Sequence, residues 1–550
     1  MWYIQSNLIF YGLTISFHRS KEVFVCCLIV SLRCVFWAAL SIRGGIDSPR
    51  PASQRAAAFI LTAVMLTTLA APAFAGTWSI ENGDITVKAG ETGNDVTQNN
   101  VTTKNDTDTI ITNSDKDTAS SHTVTIETND KNDKVEVTLD NVNIKADSGS
   151  ALTSKGDVTL TLKGDNSLTG GNGGSGISSS GSLTISGGEN NSLTAQGGSG
   201  SGIFSSGGVT ISGGTVNATG GSSSGGSDSG DGIHSGSLTI SGGTVTATGG
   251  SGADGSGGSG IRTFSSGGVT ISGGTVNATG GTGGTGENSN GGSGIYIYSS
   301  SGSLTVSGGT VTANGGSGGG NGGDGISSTN TTISGGSTVT ANGGNGGSLV
   351  GGDGIRSGGG LTVSDGTVTA KGGNGDSKDG YGGDGIRSGG VVTISGNTVN
   401  AAGGYGGKVG GYGICSFDRV AISGGTVEAA GGNGSTGGGS GIYSSVIDLS
   451  GSLELTAKAG SPNGKALSQN GSELVLDTIK DKLGPGAKVT ATDADGKVID
   501  QVSTPRPVEP EESSSSSDGG SSAPSAPASP LPGLTVTDKD GQRISYTSTQ

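Results

Sequence analysis

From residue 169 to residue 446 the chain alternates apolar and polar positions in runs of three to five residues, separated by glycine pairs. One copy reads Gly232-Ile233-His234-Ser235, then Leu238-Thr239-Ile240-Ser241, then Thr244-Val245-Thr246-Ala247. A period of two marks half-buried strands, and no helix persists through this much glycine. An x-Gly-Ile anchor returns at Ile177, Ile203, Ile233, Ile261, Ile295, Ile326, Ile355, Ile386, Ile414 and Ile442, at intervals of 26 to 34 residues. The second and third runs keep a fixed separation: Ile211 to Val216, Ile240 to Val245 and Ile422 to Val427 are each five residues apart. Only the return to the next anchor varies in length. Fixed corners with one variable edge are the mark of a solenoid. The class predicted is all-β: a right-handed, single-stranded parallel β-helix with three short strands per coil, about ten glycine-rich coils, and N- and C-terminal caps. Each coil is expected to bury about five side chains, as Ile233, Leu238, Ile240, Val245 and Ala247. The glycine pairs are read as tight corners requiring positive φ.

The flanks divide the rest. Residues 76–168 carry longer alternating runs, at 135–139 and 158–162, and read as an N-terminal cap with wider first coils. Residues 447–503, with Leu453-Glu454-Leu455 and Lys488-Val489-Thr490-Ala491, read as a C-terminal coil and cap. Residues 504–533 are a Pro/Ser/Glu linker, disordered by composition, and 534–550 form a short tail.

Composition narrows the class further. Glycine supplies 115 of 550 residues and 94 of the 273 between 170 and 442, without the strict three-residue period or the proline of collagen. Proline is absent between Pro72 and Pro462, as a ladder that needs every N–H requires. The net charge of −15 argues against a nucleic-acid partner, which needs a basic face.

The N-terminus reads as an address. Arg50 and Arg55 precede the apolar stretch 56–71, and Ala73-Phe74-Ala75 is an A-x-A cleavage site, so residues 50–75 form a signal peptide cut after Ala75. The exported chain would begin Gly76-Thr77-Trp78. Residues 1–49 are an extension of doubtful origin, either a start codon placed too early or a long leader. Removing 1–75 leaves 24 Lys/Arg against 43 Asp/Glu, a charge of −19, and Cys415 as the one cysteine, so no internal disulfide. The expected product is secreted or displayed at the cell surface, monomeric, without a stable membrane span.

The run Val137-Thr138-Leu139-Asp140-Asn141-Val142-Asn143-Ile144, then Ala151-Leu152-Thr153, then Val158-Thr159-Leu160-Thr161-Leu162-Lys163-Gly164-Asp165, followed by repeated Gly-Ile coils, resembles the bacterial secreted carbohydrate-binding-domain-containing family. The resemblance covers about residues 77–500. It implies a calcium-binding parallel β-helix that binds plant-type polysaccharides, acidic ones included, with Asp140, Asp157 and Asp165 as further candidate ligands. The glycine-rich edges depart from that family.

Two columns of side chains carry candidate chemistry. The residue after each anchor Ile points outward if the Ile points in. This column holds Phe204, His234, Arg262, Tyr296, Arg356, Arg387 and Tyr443, with Ser178, Ser327 and Cys415 between them. Aromatic faces stack on sugar rings and guanidinium ions pair with uronate carboxylates, so the column reads as a ligand-binding track for a linear, acidic polysaccharide. Strand preference for aromatics and protection against sideways pairing account for the same residues without a ligand. Two residues before the anchor stand Asp231, Asp324, Asp353 and Asp384, candidate ligands for calcium, or turn formers before glycine. The outward threonines of the third run form a T-x-T array, interrupted by Asn217, Asn277, Asn400 and Glu428.

No paired carboxylates, zinc spacing or phosphate loop recurs. The sequence therefore points to a non-enzymatic carbohydrate-binding protein. The alternatives are a structural or adhesive cell-surface rod without a specific ligand, and a β-helix polysaccharide lyase.

Overall fold

The computed structural model describes residues 75–128 and 133–505. The readings for the extension, for the signal peptide up to residue 74, and for the linker and tail from residue 506 lie outside the described residues.

The predicted anchors form one column. Ile85, Val124, Leu152, the ten isoleucines and Leu467 are successive parallel partners. Every one of them is buried. The chain is a parallel β-helix of about 13 turns, the ten glycine-rich coils continued at both ends. Leu238 and Ile240 sit in the second column, in register with Val209 and Ile211 before them and Val269 and Ile271 after. The third strands form a sheet of their own, 14 strands from Asn143–Lys145 to Val498–Ser503. Its inward files are a Val column and an Ala column: Val216, Val245, Val276 and Ala218, Ala247, Ala278. The five predicted core positions of a coil are all buried. A sixth is the Ser of Gly-Ile-x-Ser: Ser205, Ser357, Ser388 and Ser416 are buried, and each hydroxyl donates to a carbonyl of the preceding coil at 2.7 to 3.0 Å. That bond satisfies a hydroxyl which would otherwise be costly to bury.

Both ends are closed by reversing the strand direction. At the start, Ile85–Ala89, Asn94–Gln98 and Val101–Asp106 form an antiparallel meander. At the other end Leu453–Lys458 and Lys488–Thr492 are still parallel coil strands, because Leu455, Ala457, Val489 and Ala491 continue the Val and Ala files. The cap proper is Val498–Ser503, antiparallel on the last coil. Exposed ladder edges are thereby covered.

The glycine pairs divide into two groups with different causes. At the corner between second and third strands the expectation of positive φ holds, for example at Gly243 with φ +79°. On the variable returns from Gly197 to Gly441 the glycines are not in that region. There the outgoing and incoming arms of each loop pack flat against those of the neighbouring coils. Gly344 N–H donates to Gly323, Gly352 to Gly344, Gly373 to Gly352 and Gly383 to Gly373, at 2.8 to 2.9 Å. The same file of N–H···O=C bonds runs unbroken from Gly200 to Gly460. A Cβ built on Gly352 would overlap the carbonyl oxygen of Gly323, and one on Gly383 that of Gly352. Glycine is therefore required by the close approach of neighbouring coils, not by a turn. The variable edge is a second ordered slab, bonded through its backbone alone.

Candidate functional site: the outward anchor column

Parallel register places the predicted column in line. Phe204, His234, Arg262 and Tyr296 are successive partners, and so are Ser327, Arg356, Arg387, Cys415 and Tyr443. The column gathers into two groups. In the first, Phe204 and His234 meet edge to face with centroids 5.5 Å apart, and His234 meets Phe264 likewise at 5.3 Å. Arg262 lies over the rings of Tyr296 and Tyr298, at 5.5 and 5.7 Å. In the second, Arg387 lies over Phe417 at 5.3 Å, and Tyr412 stacks on Tyr443 at 4.9 Å. Arg356 stands between the groups, exposed and with no ion pair within 4.0 Å. Cys415 departs from the outward pattern: it is buried, and burial pushes its thiol up to about 12.

Four of these aromatics were not among the sequence candidates. Phe264, Tyr298 and Phe417 occupy the third position after the anchor, which shares the outward parity of the first. That parity was readable. Tyr298 is 62% exposed and Phe417 55% exposed, more than the aromatic rings of the column itself. Tyr412 occupies the position that Asp holds in other coils, and its stacking on Tyr443 depends on register.

The aspartates lie against this column. Asp324 Oδ1 accepts the N–H of Asp353, Asp353 Oδ1 that of Asp384, and Asp384 Oδ1 that of Tyr412, at 2.7 to 2.8 Å. Asp231 Oδ1 accepts the N–H of Ser259 at 2.7 Å. The turn is thus closed from one coil to the next, and not within a coil. The second oxygen of Asp384 is 3.8 Å from Arg387 and has no hydrogen-bond partner. That of Asp231 is 3.3 Å from His234 and 4.0 Å from Arg262. Arg356 and Arg387 are direct register partners, as expected, but the row Asp324, Asp353, Asp384 runs beside them and offsets their charge. Among the described residues no group of three or more His, Cys, Asp or Glu side chains is arranged to hold a metal ion.

Burial pushes Asp231 and Asp384 up to about 6, and pushes Asp353 well up, with Asp324 and Asp384 adding to it. His234 is held down to about 4 by burial and by Arg262. The two groups therefore respond differently to acid. A carboxyl raised in the folded state costs stability above its folded value and is relieved as pH falls toward its unfolded one. A histidine lowered in the folded state loses stability over nearly the same window. Asp231 and His234 oppose each other, while the Asp324–Asp353–Asp384 row has no such counterweight. Lowering pH from 7 to 5 should stabilise the rod through that row, by roughly 1 kcal/mol for Asp384, and so raise the melting temperature. Asp384→Asn should flatten the dependence in a thermal melt series; an unchanged slope would remove the row as its source.

Among the described residues no helix is long and apolar enough to cross a membrane. No protein-family model, curated protein or solved structure matches this chain.

Proposed function

We propose that the protein is an exported, non-enzymatic carbohydrate-binding rod whose outward anchor column holds a linear, acidic polysaccharide lying along the rod axis. One observation carries the reading: rings and guanidinium ions recur on one file, coil after coil, in an otherwise Ser/Thr/Gly surface. The coil repeat of about 4.8 Å is close to the advance of one pyranose unit in an extended glycan. Successive sugars would then meet successive coils. Tyr298 and Phe417 are the most exposed rings of the two groups, and Arg356, exposed on the file between them, can meet a uronate.

The test is titration of the full exported chain with polygalacturonate fragments of increasing length, beside a neutral glucan. Affinity should rise with chain length until both groups are spanned, and fall with added salt. Tyr298→Ala and Phe417→Ala should each weaken binding by roughly tenfold, the usual cost of an interface anchor. Arg356→Ala should weaken uronate binding while leaving the melting temperature nearly unchanged, whereas Arg387→Ala also strips buried Asp384 of its counter-charge and should lower it. No binding by any glycan, with or without calcium, would favour the adhesive rod. Unsaturated products from pectin would favour the lyase.

A further inference from the structure

Asp106 is fully buried, and the column site makes no use of it. It closes the antiparallel meander at the start of the rod, at the end of Val101–Asp106. Its carboxylate accepts three N–H groups: Gly76 N at 2.8 Å and Asp108 N at 3.3 Å on Oδ1, and Trp78 Nε1 at 2.9 Å on Oδ2. Among the described residues no Lys, Arg or His nitrogen lies within 4.0 Å of it; the ion pairs of the cap, His122 with Asp84 and Lys155 with Glu127, leave it out. A buried carboxylate with only neutral donors has given up hydration for hydrogen bonds but has no counter-charge.

The donor at 2.8 Å is the backbone nitrogen of Gly76. Gly76 is also the first residue after the A-x-A site at residues 73–75, a position fixed by composition alone. The two observations are independent and fall on the same peptide bond. Ala75 is exposed and Gly76 buried. Gly76 is held from its other side as well, its carbonyl accepting the N–H of Ile110 at 2.9 Å.

We propose that cleavage between Ala75 and Gly76 completes the N-terminal cap, by turning the Gly76 amide into an α-ammonium that pairs with the buried Asp106 carboxylate. Hydrolysis of that amide adds one water: the carbonyl carbon of Ala75 becomes a carboxylate on the released peptide, and the Gly76 nitrogen becomes an ammonium on the rod. A neutral donor at 2.8 Å is replaced by a charged one at the same place, where low dielectric makes the pairing strong. Trp78 Nε1 and Asp108 N hold the carboxylate for it. The exported chain would then be more firmly closed at its first coil than the precursor, which keeps the neutral amide. This inference rests on the exported reading but not on any glycan.

The experiment has two arms. Mass spectrometry of the exported protein reports the first residue, expected to be Gly76. Separately, two forms are prepared from the same chain, one starting at Gly76 with a free amine and one starting at Ala75. The exposed Ala75 adds no clash, so the pair differs in where the charge sits. The Gly76 form should melt several degrees higher, and its amine should react more slowly with an acylating reagent at neutral pH. Asp106→Asn should abolish both differences. If Asp106→Asn does not fold, the two wild-type forms still decide the matter: equal melting temperatures and equal amine reactivity would overturn the pairing. A first residue other than Gly76 would overturn the processing site, whatever the melts show.

Discussion

Gly352→Ala is expected to destabilise the rod more than its single methyl group would suggest. The added Cβ would overlap the carbonyl oxygen of Gly323, which belongs to backbone and has no rotamer to yield. Gly352 N–H is bonded to Gly344 at 2.8 Å, and its own carbonyl accepts Gly373 at 2.8 Å, so relief by moving the arm breaks bonds on both sides. Overpacking in side-chain cores costs about 1–3 kcal/mol, and a backbone collision belongs at or above the top of that range. Gly383→Ala should behave the same way, since its Cβ would meet Gly352. Gly358→Ala is the matched control. It lies in the same coil, its nearest neighbour would be 3.8 Å away, and it should change the melting temperature little. Urea melts of the three variants decide this. Equal tolerance at all three positions would mean that the loop arms are not packed as a slab.

This contrast marks where sequence reading ran out. The anchors and the five-residue corner spacing are local and strictly periodic, and they were enough to fix which residues face inward and which coils are neighbours. Ile240 over Ile211 and Arg356 beside Arg387 followed from counting. The slab did not. Its arms differ in length from coil to coil, so no count aligns Gly344 with Gly323, and polyglycine carries no apolar period to read. The aspartates were named, but the bonds they make were not, for a related reason. Asp353 looked like a turn former within its own coil, yet its oxygen bonds a backbone N–H in the next. The charge offset of Arg387 by Asp384 is likewise a contact across a corner. Phe264 and Phe417 were within reach, because strand parity alone points them outward beside Arg262 and Cys415. The pairing of Gly76 with Asp106 spans 30 residues across an antiparallel cap without any repeat, so no periodicity announces it.

Ile240→Asp should have the largest effect of any single change, and its consequence should be local before it is global. Ile240 is wholly buried, in register between Ile211 and Ile271, with Leu238 and Val245 in its own coil. Removing the side chain forfeits about 1.5–3 kcal/mol of burial. The carboxylate then sits in an interior lined by Val, Ile and Ala with no cation to meet it, at a cost of several kcal/mol more, or it must take up a proton. The sum reaches the range beyond about 4–5 kcal/mol that marks outright loss of a core position. In a solenoid each coil is held only by its neighbours, so the damage should open the rod at that level and leave distant coils folded. Limited proteolysis of Ile240→Asp is expected to cut in the coils around residues 211–271 and to release two resistant pieces, with part of the strand signal retained in circular dichroism. Thr239→Asp, one residue earlier and exposed, should give neither result. Resistance of the Ile240→Asp rod to cleavage, with an unchanged melt, would contradict the inward assignment of this column and with it the register from which the outward column is built.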